Sequence, residues 1–208
     1  MIRIGVLISG NGTNLQAILD ACREGRIDGE VVVVISDRAD AYGLERARRA
    51  GVEAIHVDPG DYPTRTAFDR ALAELLLARN VDLVCLAGYM RLVRKPMLTA
   101  FPNRILNIHP SLLPAFPGLD AQGQALAYGV KVAGCTVHFV NEGMDEGPII
   151  LQAAVPVLED DTHETLRARI QVEEHRIYPR AVQLFAEGRL RIEGRRVRIL
   201  DQPQKGDS

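Results

Sequence analysis

Asn107 and His109 stand two residues apart at the end of a short apolar run, RILNIH, directly before the proline-rich loop HPSLLPAFPG. Successive side chains of an extended chain alternate between faces, so this spacing aims an amide and an imidazole into the same space. Parallel sheets open their ligand crevice at such strand ends. The amide supplies a hydrogen-bond donor and the imidazole a group that ionises near neutrality. Together they suit oxyanion stabilisation and general acid–base transfer. Pro110 and residues 111–118 restrict the backbone after His109, as a catalytic side chain requires. On spacing alone a second reading stands beside this one: a histidine merely packed or solvated at a strand end.

A second constellation lies near the start of the chain, where SGNGTNLQAI follows an apolar run and opens a helical segment. Free backbone N–H groups and the positive end of a helix dipole meet there, which makes a cradle for an anion. Leu15 occupies the third glycine position of G-x-G-x-x-G, the one that permits close helix packing in dinucleotide-binding proteins. A single phosphate is therefore favoured over a dinucleotide. Asp37, at the end of the second apolar run, keeps a nicotinamide-dependent oxidoreductase open as an alternative, because it can mimic a ribose-binding acid. Gly10 and Gly12 can equally serve a tight turn, and Thr13 or Asn14 a helix cap.

The elements that position these residues follow from periodicity. IRIGVLIS, EVVVVIS, EAIHV and DLVCLAG are strand-like, and residues 14–25, 42–51 and 64–80 between them carry a helical period. Residues 31–35 and 83–87 are apolar on both faces, as strands of a covered parallel sheet are. After residue 100 the pattern changes. RILNIH and its proline loop lead to a helix over 121–128, and then KVAGCTVHFVN and PIILQAAVPVL form a hairpin-like pair around the polar loop EGMDEG. Residues 162–187 are amphipathic, with Pro179 expected to kink or divide them. A small hairpin, RLRIEGRRVRIL, turns at Glu193-Gly194. The expected fold is α/β: one doubly wound, mostly parallel, Rossmann-like sheet with helices on both faces and an antiparallel edge hairpin. A single domain is expected over residues 1–200, followed by a polar tail over 201–208.

The 208 residues are 47% hydrophobic and 25% charged. A chain of this length buries roughly two thirds of its unfolded surface, so packing alone can hold it. Cys22, Cys85 and Cys135 are widely spaced with no CxxC pair, which predicts reduced thiols. Residues 2–9 lack a basic flank and are too short for a secretory signal. No apolar stretch reaches the ~20 residues a membrane span needs, so a cytoplasmic protein without a membrane partner is expected. A net charge of -2 argues against nucleic acid as a partner, since phosphate backbones demand a basic face. His56, His109, His138, His163 and His175 show no ligand spacing, so no metal is expected, and His138 reads as a hydrogen-bonded strand residue.

INIHPSLLPAFPG and GCTVHFVNEGMDEGPII resemble the two signatures of the folate-dependent formyltransferases. SGNGTNLQAI, LAGYMRLV and the length of 208 residues extend the similarity over essentially the whole chain, toward the purine-pathway members of that family. The larger relatives that formylate methionyl-tRNA or add a dehydrogenase carry a C-terminal domain, and formyl-folate hydrolases an N-terminal one. Neither is expected here. The resemblance implies transfer of the formyl group of 10-formyltetrahydrofolate to the amine of N1-(5-phospho-D-ribosyl)glycinamide (glycinamide ribonucleotide), in de novo purine biosynthesis. It implies small-molecule substrates only, and a monomer or homodimer.

Carried over by position, the resemblance makes Asn107, His109 and Asp145 the catalytic trio. It assigns the substrate phosphate to Gly12, Thr13 and Asn14, and the ribose and glycinamide to Gln171 and Glu174, which share a helix face one turn apart. It assigns the folate to Arg65, to Met90, Arg91, Leu92 and Val93, to Asn107, and to the loop of Asn141, Glu142, Gly143, Met144 and Asp145. Residues of about 1–100 would then form a phosphate-binding half and about 101–200 a folate and catalytic half. One segment departs from the family pattern: Asp120, Gln122 and Gly123 stand where many members carry histidine and arginine. A carboxylate such as Asp145 beside His109 would favour the cationic ring, which with the Asn107 amide would stabilise the developing oxyanion. A binding module without turnover, and a hydrolase using water in place of the amine, are the remaining alternatives.

Overall fold

Runs that are apolar on both faces become the central strands of one sheet, and their alternate residues feed two cores. In the computed structural model, which describes residues 1–203, β1 (Ile2–Ile8), β2 (Gly29–Ser36), β3 (Glu53–His56), β4 (Leu83–Leu86) and β5 (Ile105–His109) pair in parallel. Val6, Ile8 and Cys85 join one buried cluster, whereas Leu7, Val84 and Leu86 join the other. The first cluster is completed by α1 (Thr13–Arg23), α2 (Tyr42–Arg49), α5 (Ala121–Tyr128) and α6 (His163–Ala186). The second is completed by α3 (Arg65–Leu77) and α4 (Lys95–Ala100). Helices therefore cover both faces, as the doubly wound pattern requires.

β6 (Val132–Phe139) and β7 (Ile149–Pro156) form the antiparallel hairpin, with β6 paired to β5. β8 (Leu190–Glu193) and β9 (Arg196–Ile199) extend the sheet beyond it, giving the order β3-β2-β1-β4-β5-β6-β7-β9-β8. β9 meets β7 through the single pair Ile149 and Arg196, so the outer hairpin is lightly attached. Its turn centres on Gly194 and Arg195, one residue past the expected Glu193-Gly194. Residues 204–208 of the expected polar tail lie outside the described residues. Among the described residues no helix is long and apolar enough to cross a membrane.

Of the kink or division expected at Pro179, the division does not occur. The helix runs unbroken for 24 residues with Pro179 inside it. Proline removes one backbone donor and crowds the preceding turn, but the residues around it are anchored. Tyr178, Ala181 and Val182 are fully buried. The Tyr178 hydroxyl lies 2.7 Å from the Leu86 carbonyl oxygen and 3.1 Å from that of Leu106, sharing its one proton between β4 and β5. Packing thus overrides the local preference. Removing this buried donor leaves two carbonyls short of a partner, so Tyr178→Phe is expected to lower stability by about 1–3 kcal/mol. Equilibrium urea unfolding checks this, with wild-type stability in the variant as the contrary result.

Candidate active site

β1 leads to β2 on one side while β4 lies on its other side, so the strand order reverses between β1 and β4 and a crevice opens at their carboxyl ends. The glycine loop after β1 forms one wall. Gly12 takes φ 76°, and a Cβ there would come within 2.8 Å of the Gly43 Cα, so glycine is needed both for conformation and for the approach of α2. Gly43 N–H donates to the Gly10 carbonyl at 3.0 Å. Arg46 donates from Nε to the Asn11 carbonyl at 2.7 Å and from Nη2 to Asn11 Oδ1 at 2.8 Å. Gly12 itself is the N-cap of α1 and no side chain caps it, so Thr13 and Asn14 do not act as caps. The first turn of α1 is left open to an anion.

The second wall is the β4–α4 loop. Met90 N–H donates to Ser9 Oγ at 3.0 Å, and Arg94 N–H to Asp69 Oδ2 at 2.5 Å, which fixes the loop to β1 and α3. Burial pushes the Asp69 carboxyl above its ordinary value, opposed by the Arg94 N–H and the nearby arginines. Met90 and Leu92 are exposed and not part of the core, whereas Val93 is buried.

Asn107 and His109 share a face of β5 with Ile105, as alternation requires. His109 is only 5% exposed, less than a crevice position suggests, because the proline loop folds over it. Its Nε2–H donates to the Phe116 carbonyl at 2.8 Å, and Nδ1 faces Asp145 Oδ2 at 3.5 Å. Asp145, at φ 53°, accepts the Gly118 N–H at 2.8 Å on that same oxygen. The proline loop is itself pinned from β6 and β7. Thr136 Oγ1 donates to the Ser111 carbonyl at 2.7 Å and accepts the Leu113 N–H at 3.1 Å, while Gln152 Nε2 donates to the Leu113 carbonyl at 3.0 Å. The trio expected from the motifs therefore converges in three dimensions.

His138 joins it, which sequence reasoning missed. It lies directly opposite Asn107 in the β5–β6 pairing. Its Nδ1–H donates to the Phe139 carbonyl at 2.9 Å, leaving Nε2 to accept from Asn107 Nδ2 at 3.4 Å. Burial holds the ring below its ordinary value, against the pull of the Phe139 carbonyl and the Asp145 carboxylate. His138 is thus a neutral ring that orients the Asn107 amide.

These residues line a cavity of about 430 Å³ together with Gly12, Thr13, Asn14, Met90, Arg91, Leu92, Val93, Asn141, Gly143, Met144, Gln171 and Glu174. Two expected residues are not among its walls. Glu142 is exposed on its loop, and Arg65 lines a neighbouring cavity of about 1050 Å³ that shares Met90, Arg91 and Leu92 with the first. Asp37 lies in that neighbouring cavity, where Oδ2 accepts from Arg91 Nε at 2.8 Å, so it is committed to a guanidinium. Arg167 and Gln122 also line the smaller cavity. Arg167 precedes Gln171 by four residues, a helical spacing that could have found it. Among the described residues no group of three or more His, Cys, Asp or Glu could hold a metal ion.

Fold and site together define a class. A family described as formyl transferase matches residues 2–182, and the chain belongs to that family. The phosphoribosylglycinamide formyltransferase of Escherichia coli (strain K12) is 47% identical over 191 residues, 92% of this chain and 90% of that protein. The trifunctional purine biosynthetic protein adenosine-3 of Drosophila pseudoobscura pseudoobscura is 49% identical over 191 residues, and the match spans only 14% of its length. The crystal structure of glycinamide ribonucleotide transformylase 1 from Symbiobacterium toebii is similar at a TM-score of 0.96 and 83% identity, over 97% of this chain and 95% of that one.

Glu174 gives the site a titratable floor. Burial pushes its carboxyl up from 4.5 to about 7, opposed by Arg167 and by a hydrogen bond from Asn14. Because the folded value lies above the unfolded one, the stability this group contributes is complete below about pH 4.5 and is lost as pH rises toward 7. Glu174→Gln removes that slope. Thermal melts from pH 4 to 8 should show the variant gaining on wild type across this window, by about 3 kcal/mol at most. Parallel pH profiles would contradict the assignment.

Proposed function

We propose that the chain transfers the formyl group of 10-formyltetrahydrofolate to the amine of N1-(5-phospho-D-ribosyl)glycinamide, a step of de novo purine biosynthesis. The observation that carries this reading is the meeting of Asn107, His109 and Asp145 in one cavity with the open first turn of α1. A phosphate suits that turn, where Gly12 bears no side chain and the amides of Thr13 and Asn14 begin the helix. Asn14 Oδ1 is buried without a protein partner, an acceptor that fits a donor group of the substrate. Gln171 and Glu174 would hold the ribose and glycinamide. Met90, Arg91, Leu92 and Val93, with Asn107 and residues 141–145, would flank the folate, and Arg65 would meet its outer part from the neighbouring cavity.

In this reading Asn107 and His109 donate to the formyl oxygen as negative charge develops there. His109 must then exchange its Phe116 partner for substrate, while Asp145 orients the ring through Nδ1. Asp145 and His109 together would take the proton of the attacking amine and return it to the departing folate nitrogen. Neutral His138 keeps the Asn107 amide turned so that its second N–H is free. The chemistry needs no metal and no nucleic-acid or membrane partner. It is compatible with a cytoplasmic monomer or homodimer whose residues 1–200 act as one domain, residues 1–100 supplying most of the phosphate site.

The test is a spectrophotometric assay of folate deformylation with the ribonucleotide present or omitted. Turnover that depends on the ribonucleotide is expected; release without it would make the protein a hydrolase and overturn the reading. Asn107→Ala and His109→Ala should each lower kcat on the order of a hundredfold or more while circular dichroism stays unchanged. Near-normal turnover in both would remove the trio from the mechanism.

A further inference from the structure

One cation in the cavity is uncommitted. The other guanidinium lining it, that of Arg91, is held by Asp37 at 2.8 Å. The Asp120 carboxylate on the rim is held by His163 at 2.6 Å. Arg169, two residues along the same helix from Arg167, is tied to Asp161 at 2.7 Å and 2.9 Å. Arg167 lines the cavity, is exposed, and makes no ion pair or hydrogen bond among the described residues. Its charge is nevertheless felt at the buried Glu174.

Position says what this cation faces. Arg167, Gln171 and Glu174 are spaced i, i+4 and i+7, so they form one stripe along α6, spanning about 10 Å of helix axis. The stripe runs from Glu174, which is 6% exposed, to Arg167 at the open rim. At its buried end the stripe shares the cavity wall with the glycine loop, since Glu174 and Asn14 line it together. The wall carrying Arg167 is therefore continuous with the first turn of α1. Arg65 stands apart from it, around the neighbouring cavity, and Arg91, which lines both cavities, is held by Asp37. Neutral backbone amides alone bind a dianion weakly against water, whereas a guanidinium offers a charged fork matched to phosphate oxygens.

We infer that Arg167 is a substrate-binding residue that grips the 5′-phosphate of the ribonucleotide from α6, completing a phosphate site whose other part is the first turn of α1. The inference rests on the function proposed above and adds to it a residue that confers preference for a phosphorylated amine. The Asp145 carboxylate lies in the same cavity, and an uncommitted cation there offsets it in favour of a dianion.

The experiment compares N1-(5-phospho-D-ribosyl)glycinamide with its dephosphorylated counterpart as acceptors for wild type, Arg167→Ala and Arg167→Lys. With the phosphorylated acceptor, Arg167→Ala should raise KM about 10- to 100-fold with the effect on kcat within about threefold. With the dephosphorylated acceptor the change in KM should be within about twofold, since the contact is then absent. Arg167→Lys should recover part of the loss, as it keeps the charge but not the fork. The wild-type KM should also rise with ionic strength more steeply than that of Arg167→Ala. Arg167 is exposed, so unchanged thermal melting is expected; if Arg167→Ala failed to fold, the lysine variant and the wild-type salt dependence would still decide. An equal KM penalty on both acceptors, or none on either, overturns the inference and leaves the proposed transferase standing. Failure of the wild type to formylate either acceptor overturns both together.

Discussion

The structure depends on a single buried hydroxyl. Tyr178 sits wholly inside the core of α6 and reaches the carbonyls of Leu86 and Leu106, one on each of two neighbouring parallel strands. Leu86 is the last residue of β4, from which the loop carrying Met90 to Val93 departs, and Leu106 precedes Asn107. The helix that carries Arg167, Gln171 and Glu174 is thereby locked to β4 and to β5, the strand that carries Asn107 and His109. A polar group without water to satisfy it must find its partners in the protein, and here those partners lie at the strand ends that matter. Hydrophobic packing alone would hold α6 against the sheet without fixing its position along the strands; a directional bond does both.

From that registration the electrostatics of the cavity follow. α6 delivers a carboxyl that burial drives toward its neutral form, while the β6–β7 loop delivers Asp145 against His109. His138, from the strand beside β5, stays neutral and touches the amide. The acid comes from a loop and the amide and imidazole from one strand, and each is oriented by a group outside the trio: Gly118 for Asp145, Phe116 for His109, His138 for Asn107. Such outer contacts are what hold a reacting geometry to fractions of an ångström.

Much of this was readable from residues alone, because strong periodicity and strand-end motifs are local. The parallel strands, the glycine loop and the shared face of Asn107 and His109 follow from alternation and turn chemistry. His138 was not readable as a site residue, since its meeting with Asn107 depends on the register of β5 against β6. Pro179 predicted a kink or a division, and tertiary burial of Tyr178 and Val182 holds the helix undivided. Arg65, assigned to the folate site by resemblance, lines the neighbouring cavity and not the one around Asn107 and His109, a separation set by how α3 packs and invisible in spacing. Asp145 came from motif resemblance, for nothing in a polar loop announces which carboxylate will turn inward.

The atypical segment after the proline loop has a physical logic of its own. Asp120 adopts a left-handed conformation at φ 52°, which aspartate tolerates better than most residues, and accepts the Gly123 N–H at 3.3 Å as the N-cap of α5. A Cβ at residue 123 would fall 2.1 Å from Asp120 Oδ2, so glycine there leaves the aspartate free to hold its capping position. The same carboxylate is held below its usual range by the His163 imidazole at the start of α6. Gln122, between the two, is then presented to the cavity. A substitution set that looks like a loss of positive charge is thus a different way of fastening the same loop: the cap orders α5, and the His163 contact ties it to the helix already registered by Tyr178. The rim on which Arg167 stands is fixed from both sides by the same chain of contacts.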